Sequence, residues 1–228
     1  MTIGIGSDVY PVTGATASGK NQSLGLRWAK FLMIGLAVII SVSSLRYLTG
    51  NVSVAPVDLR ASLMKNGGIF ITHATFAAVA LFTGSLQFLE GIRRKYPKVH
   101  RWTGRVYVIA CIVGGLTALV IAPDVKSGEV ATVGFSLLAV LWIGTTIAGW
   151  RFATTGNFAS HKRWMMRSYA LTAAAISLRL QIAGFGLAGF SYWRVSDFLS
   201  FSCWVPNLLL MELWLASLTL RRSQVIPT

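Results

Sequence analysis

The stretch PKVHRWTGRVYVIACIVGGLTALVIAP, residues 97–123, opens on a proline among Lys98, His100, Arg101 and Arg105, then runs uncharged from Val106 to Pro123. Crossing the hydrocarbon core of a bilayer takes roughly 20 mostly apolar residues in an α-helix. Pro97 suits a helix start, and Pro123-Asp124 ends the pattern. The cations gather at one end only, as they do where a transmembrane helix leaves the bilayer on its basic side.

The pattern recurs on both sides of this segment. Six helices are expected, at about 28–48, 68–90, 100–122, 131–152, 163–187 and 200–220. Gly67-Gly68 punctuates the start of the second, and the glycine-rich run Gly184 to Gly189 closes the fifth. No helix is expected to be broken at mid-bilayer, with Pro206 kinking the sixth near its outer end. Residues 1–27 read as a disordered cytoplasmic tail without a signal peptide, 28–222 as one six-helix membrane domain and 223–228 as a short tail.

Composition agrees. Of 228 residues, 54% are hydrophobic and 12% are charged, against about 25% charged in a soluble domain. The mean hydropathy is +0.61. A net charge of +14 would suit nucleic acid, but the cations sit in short loops between apolar spans, so nucleic acid is excluded as a partner. The partners left are the lipid bilayer and other membrane proteins, a second copy of the chain included. Cys111 and Cys203 both lie in apolar segments, which argues against a disulfide framework or a zinc site.

The loop charges orient the chain. One face collects Lys20, Arg27, Lys30, Arg93, Arg94, Lys95, Lys98, Arg101, Arg105, Arg151, Lys162, Arg163, Arg167, Arg221 and Arg222. The opposite face has Arg46, Arg60, Lys65, Lys126 and Arg194, diluted by Asp58, Asp124, Glu129 and Asp197. The positive-inside rule then puts both termini in the cytoplasm, the membrane being a bacterial inner membrane.

Polar groups inside a bilayer are costly and default to functional candidates. They are His73, Gln87, Arg179, Gln181 and Glu212, with His100, Arg105, His161 and Arg167 at the cytoplasmic edge. Two segments share a pattern: HRWTGRVY at 100–107 and HKRWMMRSY at 161–169 each carry His, then Trp-x-x-Arg-x-Tyr, ending at Tyr107 and Tyr169. The Trp, Arg and Tyr side chains read as interfacial anchors. Helical periodicity puts His161 on a stripe with Met165, Ser168, Thr172 and Arg179, and His100 on one with Gly104, Tyr107, Cys111 and Gly114. His73 shares a stripe with Ala77, Ala80, Gly84 and Gln87. Stripes of small and polar residues are those that pack into a bundle, so all three histidines are expected to face inward.

Depth separates them. His100 and His161 lie at one level, roughly 20–25 Å from that of His73 at 1.5 Å per residue. Only His100 and His161 can share a ligand, which makes them the candidate axial pair for haem or a metal ion. His73 is expected near Arg179 and Gln181, as a lone ligand, a quinone-binding group or a structural partner of a backbone carbonyl. Glu212 is expected to pair with Arg105 or Arg167, since a buried carboxylate needs a partner.

The segments THATFAAVALFTGSLQF, RRKYPKVHRWTGRVYV, HKRWMMRSYALTAAAISLRL and CWVPNLL together resemble the membrane-protein family known as domain of unknown function 2306, over about residues 68–215. The resemblance implies a multi-helix inner-membrane protein and no particular activity. It also implies that His73, His100, Arg105, Tyr107, His161, Arg167, Tyr169, Arg179 and Asn207 occupy motif positions. HRWTG is more weakly similar to cytochrome b561-like haem proteins, which imply two histidine pairs at two depths; three histidines supply only one. The expected function is a small electron-transfer protein with one b-type haem between His100 and His161. Its rival is a non-enzymatic accessory subunit or small-solute carrier, with structural His and Arg nodes.

Overall fold

The computed structural model describes residues 17–51, 53, 57–124 and 128–223. Their secondary structure is helical throughout: α1 Ala17–Ser44, α2 Val57–Leu86, α3 Glu90–Lys95, α4 Pro97–Ile121, α5 Gly128–Thr154, α6 Phe158–Thr172, α7 Ala174–Leu187, α8 Tyr192–Ser202 and α9 Val205–Ser223. Among the described residues, six stretches are long and apolar enough to cross a membrane: Arg27–Thr49, Met64–Leu86, Pro97–Ile121, Gly128–Thr154, Phe158–Leu187 and Tyr192–Leu220. The chain is an all-α membrane protein. Helix α1 begins at Ala17, ahead of the span read from residue 28.

Local chemistry sets the boundaries. Pro97 opens α4 at a position where a missing N–H costs nothing. Asn157 caps α6, its Oδ1 accepting from the Ser160 N–H at 3.1 Å. At the far end of α7, Gly189 takes φ +83° and lets the Phe190 N–H return to the Phe185 carbonyl at 2.9 Å. Helix α2 kinks at Asn66 (φ −134°, ψ 42°), next to Gly67-Gly68.

Two spans are interrupted inside the membrane, which overturns the expectation of unbroken helices. The fifth breaks at Ala173 (φ −66°, ψ −10°), where the Ile176 N–H bonds the Ala173 carbonyl instead of continuing the α pattern. The sixth breaks at Cys203-Trp204, just before Pro206. Because the sixth span begins at Tyr192, Pro206 lies well inside it rather than near its end. A proline has no N–H for the carbonyl four residues back. That carbonyl, on Ser202, accepts from Gln181 Nε2 at 3.2 Å, and the Ser202 hydroxyl donates to Gln181 Oε1 at 2.7 Å. Asn207 serves both breaks. Its Nδ2 donates to the Cys203 carbonyl at 3.1 Å and reaches the Ala170 carbonyl at 3.4 Å, while its Oδ1 accepts from Ser177 at 3.1 Å. Side chains thus satisfy the backbone groups that lipid cannot.

Helices α2, α4, α5 and α6 form a ring of packed neighbours, which sets α4 diagonally across from α6. Helix α1 lies on α2 and touches α7, α8 packs on α5, and α9 packs on α6. Leu116, Val120, Val133, Leu137, Leu210 and Leu213 are exposed on the outside, where lipid would meet them.

Candidate functional site

The basic end of the ring holds His100 near the start of α4 and His161 near the start of α6. The His161 Nδ1 lies 2.8 Å from the Gly149 carbonyl of α5. A carbonyl only accepts, so Nδ1 carries the hydrogen and Nε2 is left to point elsewhere. The His100 Nδ1 is buried with no hydrogen-bond partner. His161 is an electrostatic neighbour of His100. Beside them, Gln87 at the end of α2 donates from Nε2 to the Thr103 hydroxyl of α4 at 2.7 Å. The bare Cα of Gly149 is backed by Met165, whose sulfur would stand 2.5 Å from an added Cβ.

The two repeated motifs behave alike on their surfaces. The Arg105 guanidinium stacks over the Trp102 ring at 5.6 Å, and that of Arg167 over Trp164 at 5.0 Å. Trp102 is 65% exposed, as an interfacial anchor should be. Glu212 pairs with Arg167 through two hydrogen bonds, Nε to Oε1 at 2.5 Å and the second nitrogen to Oε2 at 2.7 Å. Arg105 takes no acidic partner among the described residues.

The tyrosines are not anchors. Five residues beyond its Trp, each is about 7.5 Å deeper along the helix and turned to another face. Tyr107 is 1% exposed and Tyr169 4%. Both rings press on Gly84 of α2, where an added Cβ would lie 2.6 Å from each. The Tyr107 hydroxyl meets the Ser168 and Thr172 hydroxyls of α6 at 2.7 and 2.8 Å. Thr146 of α5 reaches Ser168 at 2.7 Å, and the Trp142 indole donates to Thr172 at 2.8 Å. Cys111 lies among these hydroxyls. The Tyr169 hydroxyl is buried without a partner.

The third group lies toward the other end. His73 is nine residues from the start of its span and Arg179 eight from the end of its own, a depth of roughly 12–13 Å. The His73 Nδ1 donates to the Gly114 carbonyl of α4 at 2.9 Å, which again leaves Nε2. Arg179 is an electrostatic neighbour of His73. Its terminal nitrogens donate to the Ala175 carbonyl at 3.1 Å and to the Ser44 hydroxyl of α1 at 2.9 Å. Gln181 turns instead to Ser202 of α8.

The inward stripes of the sequence include Ser168 and Thr172, but nothing in the sequence singles out Thr146 and Trp142 as their neighbours. Serine and threonine commonly bond their own helix, so the clustered Ser41, Ser43 and Ser44 were the one available signal for the α1 side. Among the described residues, no three His, Cys, Asp or Glu side chains converge on a metal-sized site. Residues 70–215 match the family model described as "Predicted membrane protein (DUF2306)". No curated protein and no solved structure matches the chain.

Proposed function

The chain belongs to the DUF2306 family of predicted membrane proteins, and on that premise we propose that it is a small electron-transfer protein holding one b-type haem between His100 and His161. The observation that carries the reading is their placement. Each lies three residues from the start of its helix, and the two helices face each other diagonally across a four-helix core. The donor set suits axial ligation. His161 commits Nδ1–H to a carbonyl, the arrangement that orients an imidazole and raises the basicity of its Nε2. The buried, unpartnered His100 Nδ1 belongs to a ring whose polar needs the protein leaves unmet. Arg105, without an acidic partner among the described residues, supplies positive charge for haem carboxylates. The haem would contribute a one-electron couple.

The test is the visible spectrum of the purified protein, oxidised and then dithionite-reduced. A Soret band that His100→Ala and His161→Ala each abolish is the expected result. A colourless protein from haem-replete cells would overturn the reading. The rival, a small-solute carrier or accessory subunit, draws support from the two interrupted spans joined at Asn207, since broken helices line the sites of many transporters. Its mark would be a colourless protein that stays folded when both histidines are replaced.

The basic residues also support an orientation with both termini inside, in a bacterial inner membrane. A C-terminal green-fluorescent fusion should therefore glow and a C-terminal alkaline phosphatase fusion stay inactive. The reverse pattern would sink this orientation.

A further inference from the structure

We infer that Arg179, His73 and Ser41 form a binding site for the ring of a membrane-dissolved quinol, with its tail in the groove between α1 and α7. The inference extends the redox reading above and rests on it for treating the ligand as an electron carrier; the binding itself needs no haem.

The first argument is charge. Arg179 is a half-buried cation roughly 12 Å inside the membrane. Its partners are the neutral Ala175 carbonyl and Ser44 hydroxyl, and no acidic side chain pairs with it among the described residues. A cation at such depth without compensation is costly, and it favours an electron-rich oxygen brought by a ligand. The second argument is an unmet donor. Ser41 is 5% exposed, and its hydroxyl has no hydrogen-bond partner. It lies one turn from Ser44, on the bundle-facing side of α1 with Ala37 and Ile40.

The third is the matching acceptor. With Nδ1–H given to Gly114, a neutral His73 offers a bare Nε2, which has no partner among the described residues. Donors and an acceptor at one depth suit a molecule with both a hydroxyl hydrogen and an oxygen acceptor, as a quinol has. One ring hydroxyl donates to His73 Nε2, and the opposite oxygen accepts from Arg179 or Ser41. A fatty carboxylate would bring no hydrogen for His73, and its head group belongs at the interface rather than at this depth. Tyr47 and Phe70, packed edge to face at 5.6 Å, supply aromatic surface next to Ser44 and Arg179. A groove of about 250 Å³ continues along the α1–α7 seam from mid-membrane toward the basic side, lined by Leu32, Met33, Leu36 and Ala173 and by the polar Ser177 and Asn207.

The experiment measures binding of a short-tailed benzoquinol to the full chain in detergent by calorimetry. Arg179→Gln should weaken binding by about tenfold or more, the scale of one charge-assisted hydrogen bond. His73→Asn keeps a donor where Nδ1 stands and removes Nε2, so it should weaken binding by about tenfold while thermal stability holds. Should Arg179→Gln fail to fold, His73→Asn and Ser41→Ala still decide. The protein with both His100 and His161 changed to Ala should bind as wild type does, which separates this site from the haem reading. Equal affinity in wild type, His73→Asn and Arg179→Gln would overturn the inference. So would Arg179-dependent binding of palmitate in preference to the quinol.

Discussion

The Tyr107 hydroxyl of α4 lies 2.7 Å from the Ser168 hydroxyl of α6, so the helices bearing His100 and His161 are joined across the ring by side chains. Tyr107→Phe should lower stability by about 1–2 kcal/mol, the cost of leaving buried partners short of a bond. Ser168→Ala should do the same, and the double variant should lose clearly less than the two single losses combined. Thermal unfolding in detergent measures all three. Additive losses would mean that the two hydroxyls act separately.

Gly84 is where the repeated motifs converge. An alanine there would put a methyl group 2.6 Å from both tyrosine rings, within a wall made by α4 and α6. Gly84→Ala should cost about 1–3 kcal/mol by overpacking. Gly144→Ala, with nothing within 4 Å of the new methyl, should be neutral or slightly stabilising. A melting series of the two variants checks the contrast, and equal melting points would refute it.

The Arg167–Glu212 pair is two-pronged, but Glu212 is 43% exposed and Arg167 19%. Its worth is therefore modest, about 1 kcal/mol. Glu212→Gln should lose that amount when Arg167 is present and nothing further in an Arg167→Gln background. An Arg105→Gln background should leave the Glu212→Gln loss unchanged, since Arg105 stacks on Trp102. A double-mutant cycle in one detergent reads each coupling directly.

Asn207→Ala removes side-chain bonds that serve two interrupted spans at once. The expected loss is about 1–2 kcal/mol. Hydrogen exchange should rise at residues 173–177 of the fifth span as well as at 205–208 of the sixth. A rise confined to the sixth span would show that the link between them carries no energy.

The six spans were readable because transmembrane length and loop charge are local properties of the chain. The interruption at Ala173 was not, because no local residue marks it and the side chain that serves it, Asn207, stands 34 positions away. Pro206 was visible, yet its depth depended on α8 extending the sixth span back to Tyr192. That segment carries Arg194 and Asp197, which disguise it as loop. The two Trp-x-x-Arg-x-Tyr motifs showed their resemblance in sequence. What separated Trp102 at the surface from Tyr107 in the core was a further turn and a half of helix. Glu212 could be assigned an arginine partner by depth alone, but the choice of Arg167 rests on the contact between α6 and α9.

Counting hydrogens in the central hydroxyl cluster gives a last consequence. Tyr107, Thr146, Ser168 and Thr172 own four hydroxyl hydrogens. Five contacts of 2.7–2.9 Å call on them: Tyr107 with Ser168, Tyr107 with Thr172, Thr146 with Ser168, Thr146 with the Trp142 carbonyl, and Thr172 with the Ser168 carbonyl. The Trp142 indole brings its own hydrogen and cannot fill the gap. No assignment satisfies every contact at once, so one oxygen pair always faces without a proton between. The cluster therefore admits more than one arrangement of its hydroxyl hydrogens over the same heavy-atom positions.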